Sequence, residues 1–247
     1  MSLFIKMAVQ YHSFENPFPK ILKQIFEETY EYTGPLDEIH TLLETNLLTT
    51  EQKEYHKNIH EWTKDRNSVF VKRFHEYVDK YTHFNETYYT FLRQYILPLF
   101  PNESQLVIQK TPNIRFSLPD NAAIGCDPKD PETIIGVHYD GYFGHHTTEQ
   151  NFVIPITRMF ETNSIYHEPY VNSNIPPHQF ESLTIDTTHF AQAYFNKIIH
   201  CNRINKTNKT RISFDIRVIP YSKYQENLDY FQGTKFELGK YYMVLDK

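Results

Sequence analysis

Hydrophobic and polar positions follow two different rules along this chain. From residue 17 to about 100 the apolar residues recur three and four apart. Pro17 and Pro19 open a stretch in which Ile21, Leu22, Ile25 and Phe26 share one face, as an amphipathic helix requires. Gly34-Pro35 interrupts it. A second helix is predicted over 35–46, with Leu36, Ile39, Leu42 and Leu43 on one side. Thr49-Thr50-Glu51-Gln52 offers capping side chains for a long charged segment that reaches about Tyr81. A fourth helix, about 84–97, stops at Pro98 and Pro101.

After residue 103 the period drops to two. Strands are predicted at 105–110, 113–118, 133–140, 151–157, 182–186, 196–201, 210–219, 235–238 and 241–245. The faces separate cleanly. In 210–219, Ile212, Phe214, Ile216 and Val218 oppose Arg211, Ser213, Asp215 and Arg217. In 113–118, Ile114, Phe116 and Leu118 oppose Asn113, Arg115 and Ser117. In 133–140, Ile135, Val137 and Tyr139 oppose Gly136, His138 and Asp140. In 151–157, Phe152, Ile154 and Ile156 oppose Asn151, Val153, Pro155 and Thr157. Alternate residues of a strand point to opposite sides. The apolar faces, including Phe116, Val137, Ile154 and Phe214, are therefore expected under the helices. The polar faces carry Arg, His, Asp and Asn rather than the Lys, Glu and Thr of a solvated sheet, and are expected to line a cavity. Many short strands without intervening helices point to an antiparallel barrel or jelly roll. The fold class is α+β: residues 1–103 form an N-terminal helical region packed on a β core of residues 104–247.

Composition narrows the function. The 247 residues carry 25 basic and 30 acidic side chains, a net charge of −5, which argues against nucleic acid as a partner. A mean hydropathy of −0.59 and the lack of a long apolar run argue against a membrane partner. Only 7 glycines leave little material for a phosphate-cradling loop. Two cysteines, Cys126 and Cys201, make no disulfide framework, and no targeting signal is read at the amino terminus, so a cytoplasmic location is expected. The N-x-S/T sequons at Asn85, Asn102, Asn205 and Asn208 are read as chance in an Asn-rich chain. Oligomeric state is not legible.

The chemistry centres on His138-Tyr139-Asp140. Residues i and i+2 of a strand face the same way, so this imidazole and carboxylate can chelate one ion. His200, on another predicted strand, is the best candidate for a third ligand. Two His and one carboxylate form the facial triad of non-haem Fe(II) oxygenases, with positions left open for substrate and O₂. Arg211 follows His200 by eleven residues and can hold the far end of a dicarboxylate through a forked pair of hydrogen bonds. Ser213, two residues on, adds a hydroxyl. A 2-oxoglutarate site needs this set.

Several stretches carry a family likeness. They are Gln109-Lys110-Thr111-Pro112-Asn113-Ile114-Arg115-Phe116, Val137-His138-Tyr139-Asp140 with Tyr142, Gly144 and His145, and Asn151-Phe152-Val153-Ile154-Pro155-Ile156-Thr157. His200-Cys201-Asn202 with Asn205, and Thr210 through Pro220, complete them. Residues 105–245 resemble the Fe(II)/2-oxoglutarate-dependent dioxygenases with a double-stranded β-helix, and more narrowly their streptomycin-biosynthesis-type branch. The resemblance implies Fe(II) on His138, Asp140 and His200, and 2-oxoglutarate held by Arg211 and Ser213. It implies a small-molecule substrate oxidised by O₂ with release of succinate and CO₂. Related halogenases carry a small residue in place of the carboxylate, so Asp140 implies hydroxylation or a related oxidation. Many relatives have a glycine-rich segment before the second histidine, where this chain reads Ala193-Tyr194-Phe195-Asn196.

Other residues complete the expectations. Asn151 is a candidate for bonding the cosubstrate or a ligand carboxylate. Arg115, Tyr142, His145 and Arg217 are candidate substrate contacts, a structural ion pair with Asp215 being the other reading of the two arginines. His145 is the reserve metal ligand and Arg217 the reserve clamp. Cys201, on the strand face opposite His200, is expected in the core, as are Trp62 and the aromatics of 70–95. His56 and His60 are four apart, but no Glu follows His56, so the zinc-protease motif is absent and solvated or capping roles are expected. A non-catalytic jelly-roll protein that holds a metal or ligand is the alternative to an oxygenase. A structural metal, however, needs no anion clamp.

Overall fold

The helical half is built on the stripes the spacing predicts. The computed structural model describes residues 9–57, 68–120 and 135–247. His60, Trp62 and Cys126, with the side chain of His56, lie outside the described residues. Helix α1 (Phe18–Tyr30) buries Phe18, Ile21, Leu22, Ile25, Phe26 and Tyr30, and Pro19 sits in its first turn, where the missing N–H has no partner to lose. The second helix is a 3-10 run, Leu36–Glu44. Helix α2 (Thr50–Lys57) opens on a reciprocal cap: Gln52 N donates to Thr49 Oγ1 at 3.2 Å and Thr49 N to Gln52 Oε1 at 2.8 Å. The predicted charged helix does not run unbroken to Tyr81. A new helix, α3 (Val69–Lys80), starts where Ser68 Oγ accepts from Phe70 N at 3.2 Å. Helix α4 (Thr82–Phe91) passes into a π turn, Leu92–Ile96, and a 3-10 turn carrying Pro98.

The described strands form two antiparallel sheets. The larger contains β1 (Val9–Ser13), β2 (Gln105–Gln109), β3 (Asn113–Ser117), β5 (Gln150–Pro155), β8 (His189–Ala193), β10 (Arg211–Pro220) and β11 (Tyr242–Asp246). Its order is β1-β8-β5-β10-β2-β11, with β3 also paired to β10. The smaller contains β4 (Ile135–His138), β6 (Ile165–His167), β7 (Glu181–Ser182) and β9 (His200–Asn202), ordered β4-β9-β6-β7. Strand β10 is the spine. It pairs with β5 on one side and with β3, then β2, on the other. Short helices α5 (Tyr221–Glu226) and α6 (Leu228–Phe231) follow it, and Tyr224 and Phe231 pack with Val107, Ile219 and Tyr242.

Three predicted strands need correction. Over 196–199 the chain turns, with Lys197 N and Ile198 N both donating to Tyr194 O at 2.8 Å, so β9 begins at His200. Residues 235–237 form a turn and bend with Leu238 in a lone bridge to Tyr242, and of 182–186 only Ser182 is strand, in β7, with Ile185 in a lone bridge to Met159. Strands β1, β6 and β8 were not predicted.

On the large sheet the two faces do what alternation requires. Ile212, Phe214, Ile216 and Val218 share one core cluster with Ile114, Phe116, Phe152, Ile154 and residues of α1, α3 and α4. The Phe214 ring meets Phe18, Phe74 and Phe84 at centroid distances of 5.2, 5.4 and 5.7 Å. Phe116 meets Phe26 and Phe70 at 6.0 and 5.4 Å. Such ring pairs add about 0.5–1.5 kcal/mol each to the burial itself. The small sheet differs. Val137 was expected to be buried and is 44% exposed, with Tyr139 similar. Among the described residues the long helices pack on the large sheet, and the outer side of β4 is exposed at Val137 and Tyr139. Beside it, Tyr166 and Cys201 are covered by Phe180. Among the described residues no helix is long and apolar enough to cross a membrane.

Candidate metal centre and its cavity

The polar face of β10 looks across a cleft at the inner face of the small sheet. Arg115, Val153, Arg211, Ser213, Asp215 and Arg217 line it from the large sheet. His138, Ile165, His200 and Asn202 line it from the small one, with Asp140 and Phe195 between.

Local backbone geometry aims the ligands. Gly136 takes φ +65°, and the β4–β9 pairing shifts register between Ile135 and His138. Such a bulge re-aims the side chain that follows it. His138 Nδ1 donates to the Gly136 carbonyl. Tyr139 is extended (φ −116°, ψ 150°), so Asp140 stays on the His138 side although the strand has ended and a 3-10 turn begins. Asp140 N donates to Phe195 O at 2.7 Å. His200 pairs directly with His138 across the sheet. Its Nδ1 donates to Ile198 O at 3.1 Å, and the Phe195 ring stacks on it at 4.2 Å.

Each imidazole thus gives its Nδ1 proton to a main-chain carbonyl and turns the bare Nε2 inward, the tautomer a metal requires. The Nε2 atoms of His138 and His200 lie 3.7 and 3.8 Å from Asp140 Oδ1. One ligand atom from each of the three residues falls within 4.8 Å of the others. Bonds of about 2.0–2.2 Å to a shared ion span separations up to about 4.4 Å. Burial pushes the His200 imidazole down to about 4, against the pull of Asp140. It is therefore neutral and ready to ligate at pH 7.

The other carboxylate oxygen is fully engaged. Asp140 Oδ2 accepts from Asn151 Nδ2 at 2.7 Å and from Arg217 at 2.8 Å. Arg217 also meets Asp215 Oδ2 at 3.2 Å, Tyr241 OH at 3.3 Å and Glu149 Oε2 at 3.8 Å. Burial alone would raise the Asp140 carboxyl. The Arg217 guanidinium is the chief force that brings it well below the usual carboxylate range. Arg211 is only 1% exposed and donates to Asn202 Oδ1 at 3.1 Å.

The expected residues therefore divide. His138, Asp140, His200, Arg211, Ser213, Arg115 and Arg217 share the cleft. Asn151 is turned onto the Asp140 carboxylate and does not line the cleft. Arg217 takes its ion-pair reading, with Asp140 added to Asp215. His145 was a candidate substrate contact but lies off the cleft wall. Its Nδ1 is bonded to buried Glu149 at 2.7 Å and its ring stands 4.4 Å from Phe236. Tyr142, also a candidate contact, is 74% exposed and off the wall as well, because the 3-10 turn carries it outward. Asn202, Phe195 and Glu149 were not predicted. Two-residue parity from His200 was the signal for Asn202. Glu149, four residues after His145 in a loop, gave none.

No family model matches the chain. The streptomycin biosynthesis protein StrG of Streptomyces griseus is 28% identical over 185 residues, covering 72% of this chain and 77% of StrG. Among solved structures, the non-heme alpha-ketoglutarate-dependent carbocyclase SnoK of nogalamycin biosynthesis gives a TM-score of 0.46 at 10% identity, over 99% of this chain and 96% of that one. The nickel complex of the non-heme monooxygenase ThoJ gives 0.43 at 10% identity, over 88% and 75%.

Proposed function

We propose that this protein is an Fe(II)- and 2-oxoglutarate-dependent oxygenase whose two sheets are the walls of a double-stranded β-helix. The observation that carries the reading is a combination. A His-Asp-His set with two bare Nε2 atoms and one free carboxylate oxygen shares its cleft with a buried arginine and a serine. The triad alone suits several divalent metals. A buried guanidinium and a hydroxyl beside it suit the far carboxylate of a dicarboxylic acid.

The donor set fits the metal: two neutral nitrogens and one oxygen leave coordination positions for the cosubstrate and O₂. Bound Fe(II) with 2-oxoglutarate would supply the oxidising chemistry, with succinate and CO₂ as by-products. The chain's own groups prepare for it. Gly136 and Ile198 carbonyls fix the two imidazoles. Asn151 and Arg217 hold Asp140 Oδ2, which leaves Oδ1 for the metal. Arg211 and Ser213 take the cosubstrate's distal carboxylate. Phe195, Val153 and Ile165 give the cleft apolar walls that limit water. The substrate is read as a small polar metabolite, such as an amino sugar, amino acid or conjugate, with hydroxylation as the reaction and Arg115 as a contact. The likeness to StrG supports this class, as does the polar lining. The cytoplasm remains the location we infer.

The test is spectroscopic. Anaerobic addition of Fe(II) and then 2-oxoglutarate should give a visible metal-to-ligand charge-transfer band. His138→Ala should lose the band while keeping its far-UV circular dichroism. A wild-type protein that binds iron but shows no band and no 2-oxoglutarate binding would refute the oxygenase reading.

A further inference from the structure

The cleft contains one polar contact that neither metal ligation nor packing explains. Asn202 is a buried residue of β9. Its same-face neighbour along the strand is His200, two residues before it, and its partner across the sheet on β6 is Ile165, an apolar residue. An amide in such surroundings is costly unless bonded. Its Oδ1 accepts from Arg211 NH2 at 3.1 Å. A guanidinium only donates, so the amide oxygen must be the atom turned toward it. Three residues of β9 thus carry a metal ligand at one end and, at the other, a contact to the arginine of the opposite sheet.

We propose that Asn202 is a positioning residue of the cosubstrate clamp: it anchors one amino group of the Arg211 guanidinium to the strand that carries His200 and so sets how the arginine meets a carboxylate in the cleft. This rests on the 2-oxoglutarate reading and adds a residue to it. Two properties suit the amide. It is neutral, so it orients the guanidinium without cancelling the charge the cosubstrate needs. It is short and on a strand, so it holds one NH2 group at a fixed distance from His200. The clamp and the metal are thereby held in one register.

A purely structural role makes a different forecast. If Asn202 served only to satisfy a buried arginine, Asn202→Asp would do so at least as well, through a charged hydrogen bond. If it positions a clamp, the aspartate occupies the guanidinium and neutralises it, and the dicarboxylate is repelled. The experiment uses the full chain loaded with Ni(II), which takes the same ligands without turnover. Calorimetry measures Ni(II) affinity first, then 2-oxoglutarate affinity, for wild type, Asn202→Ala, Asn202→Gln and Asn202→Asp. Thermal melting and circular dichroism check each fold.

Asn202→Ala should weaken 2-oxoglutarate about tenfold or more, the worth of a hydrogen bond to a charged group. Asn202→Asp should weaken it further, by about 100-fold, while melting no lower than wild type. Asn202→Gln, which keeps the acceptor, should recover part of the loss relative to alanine. Ni(II) affinity should stay within about threefold throughout. The proposal is overturned if both Asn202→Ala and Asn202→Asp bind 2-oxoglutarate within about threefold of wild type. It is also overturned if Asn202→Asp binds as tightly as wild type while alanine does not. Wild type that binds Ni(II) but no 2-oxoglutarate would instead bring down the cosubstrate reading, and this inference with it.

Discussion

Replacing Arg217 by methionine should be among the most damaging single changes in the cleft, and the damage should depend on pH. The guanidinium is buried among three carboxylates: Asp140 at 2.8 Å, Asp215 at 3.2 Å and Glu149 at 3.8 Å. Methionine fills similar volume and supplies no charge. Removing one partner from a buried ion pair costs about 3–5 kcal/mol, because the remaining charge is stranded. For a chain of this size that is a loss of about 6–20 °C in melting temperature. The sign with pH follows from Asp140. In the wild type its carboxyl is held well below the usual range despite burial, chiefly by Arg217. That contribution is present above the unfolded value of about 3.9 and is lost as pH falls through the folded value. Without Arg217, burial dominates and the carboxyl rises, so acid relieves the mutant. The stability gap should be widest near pH 7 and narrow steadily below about pH 5. Urea unfolding of the metal-free proteins at several pH values measures it. A gap under about 1 kcal/mol at pH 7, or one that does not change with pH, would refute the reasoning.

Three further outcomes are expected. Phe214→Ala should cost about 3–5 kcal/mol in urea unfolding, since its ring is fully buried against Phe18, Phe74 and Phe84. In the metal-free protein His200 should stay neutral until pH nears about 4. An imidazole depressed from about 6.5 stabilises the fold above that value, so about 3 kcal/mol should be lost as pH falls from 6.5 toward 4. Its ring signals should be flat from pH 8 to about 5.5 by NMR. Burial pushes the Cys201 thiol up to about 12, so its peptide should resist alkylation at pH 8 until the protein is unfolded.

Where the sequence was legible, period two did the work. On β10 and β3 one face is packed under aromatic helices and the other lines the cleft, so hydrophobic contrast is maximal and both faces could be assigned. The same contrast on β4 misled, because alternation tells which residues share a side but not which sheet has a lid. Val137 has none. Strand β6 has three residues, too few for any period. Strand β8 reads His189-Phe190-Ala191-Gln192-Ala193, and from Phe190 onward both its faces are buried, so no alternation was there to find. The residues of 196–199 look strand-like because Ile198 and Ile199 are apolar, yet Tyr194 closes a turn through its carbonyl. In the cleft, His138, Asp140, His200, Arg211 and Ser213 could be gathered from spacing and chemical type. Glu149 could not, because its importance comes from neighbours far away in the chain and a loop carboxylate has no signature of its own. Parity put Asn202 on the same face as His200, but nothing in its residue type marked it as the partner of Arg211.

The opposed faces of β10 also bear on how such a protein can change over time. Ile212, Phe214, Ile216 and Val218 answer to the helices, while Arg211, Ser213, Asp215 and Arg217 answer to the cleft. Substitutions on one face share no partners with those on the other, so their effects should add rather than interfere. Selection can then retune what the cleft accepts without renegotiating the scaffold, and can vary the scaffold without losing the chemistry. A lineage built on such a strand is free to explore new ligands one alternate position at a time.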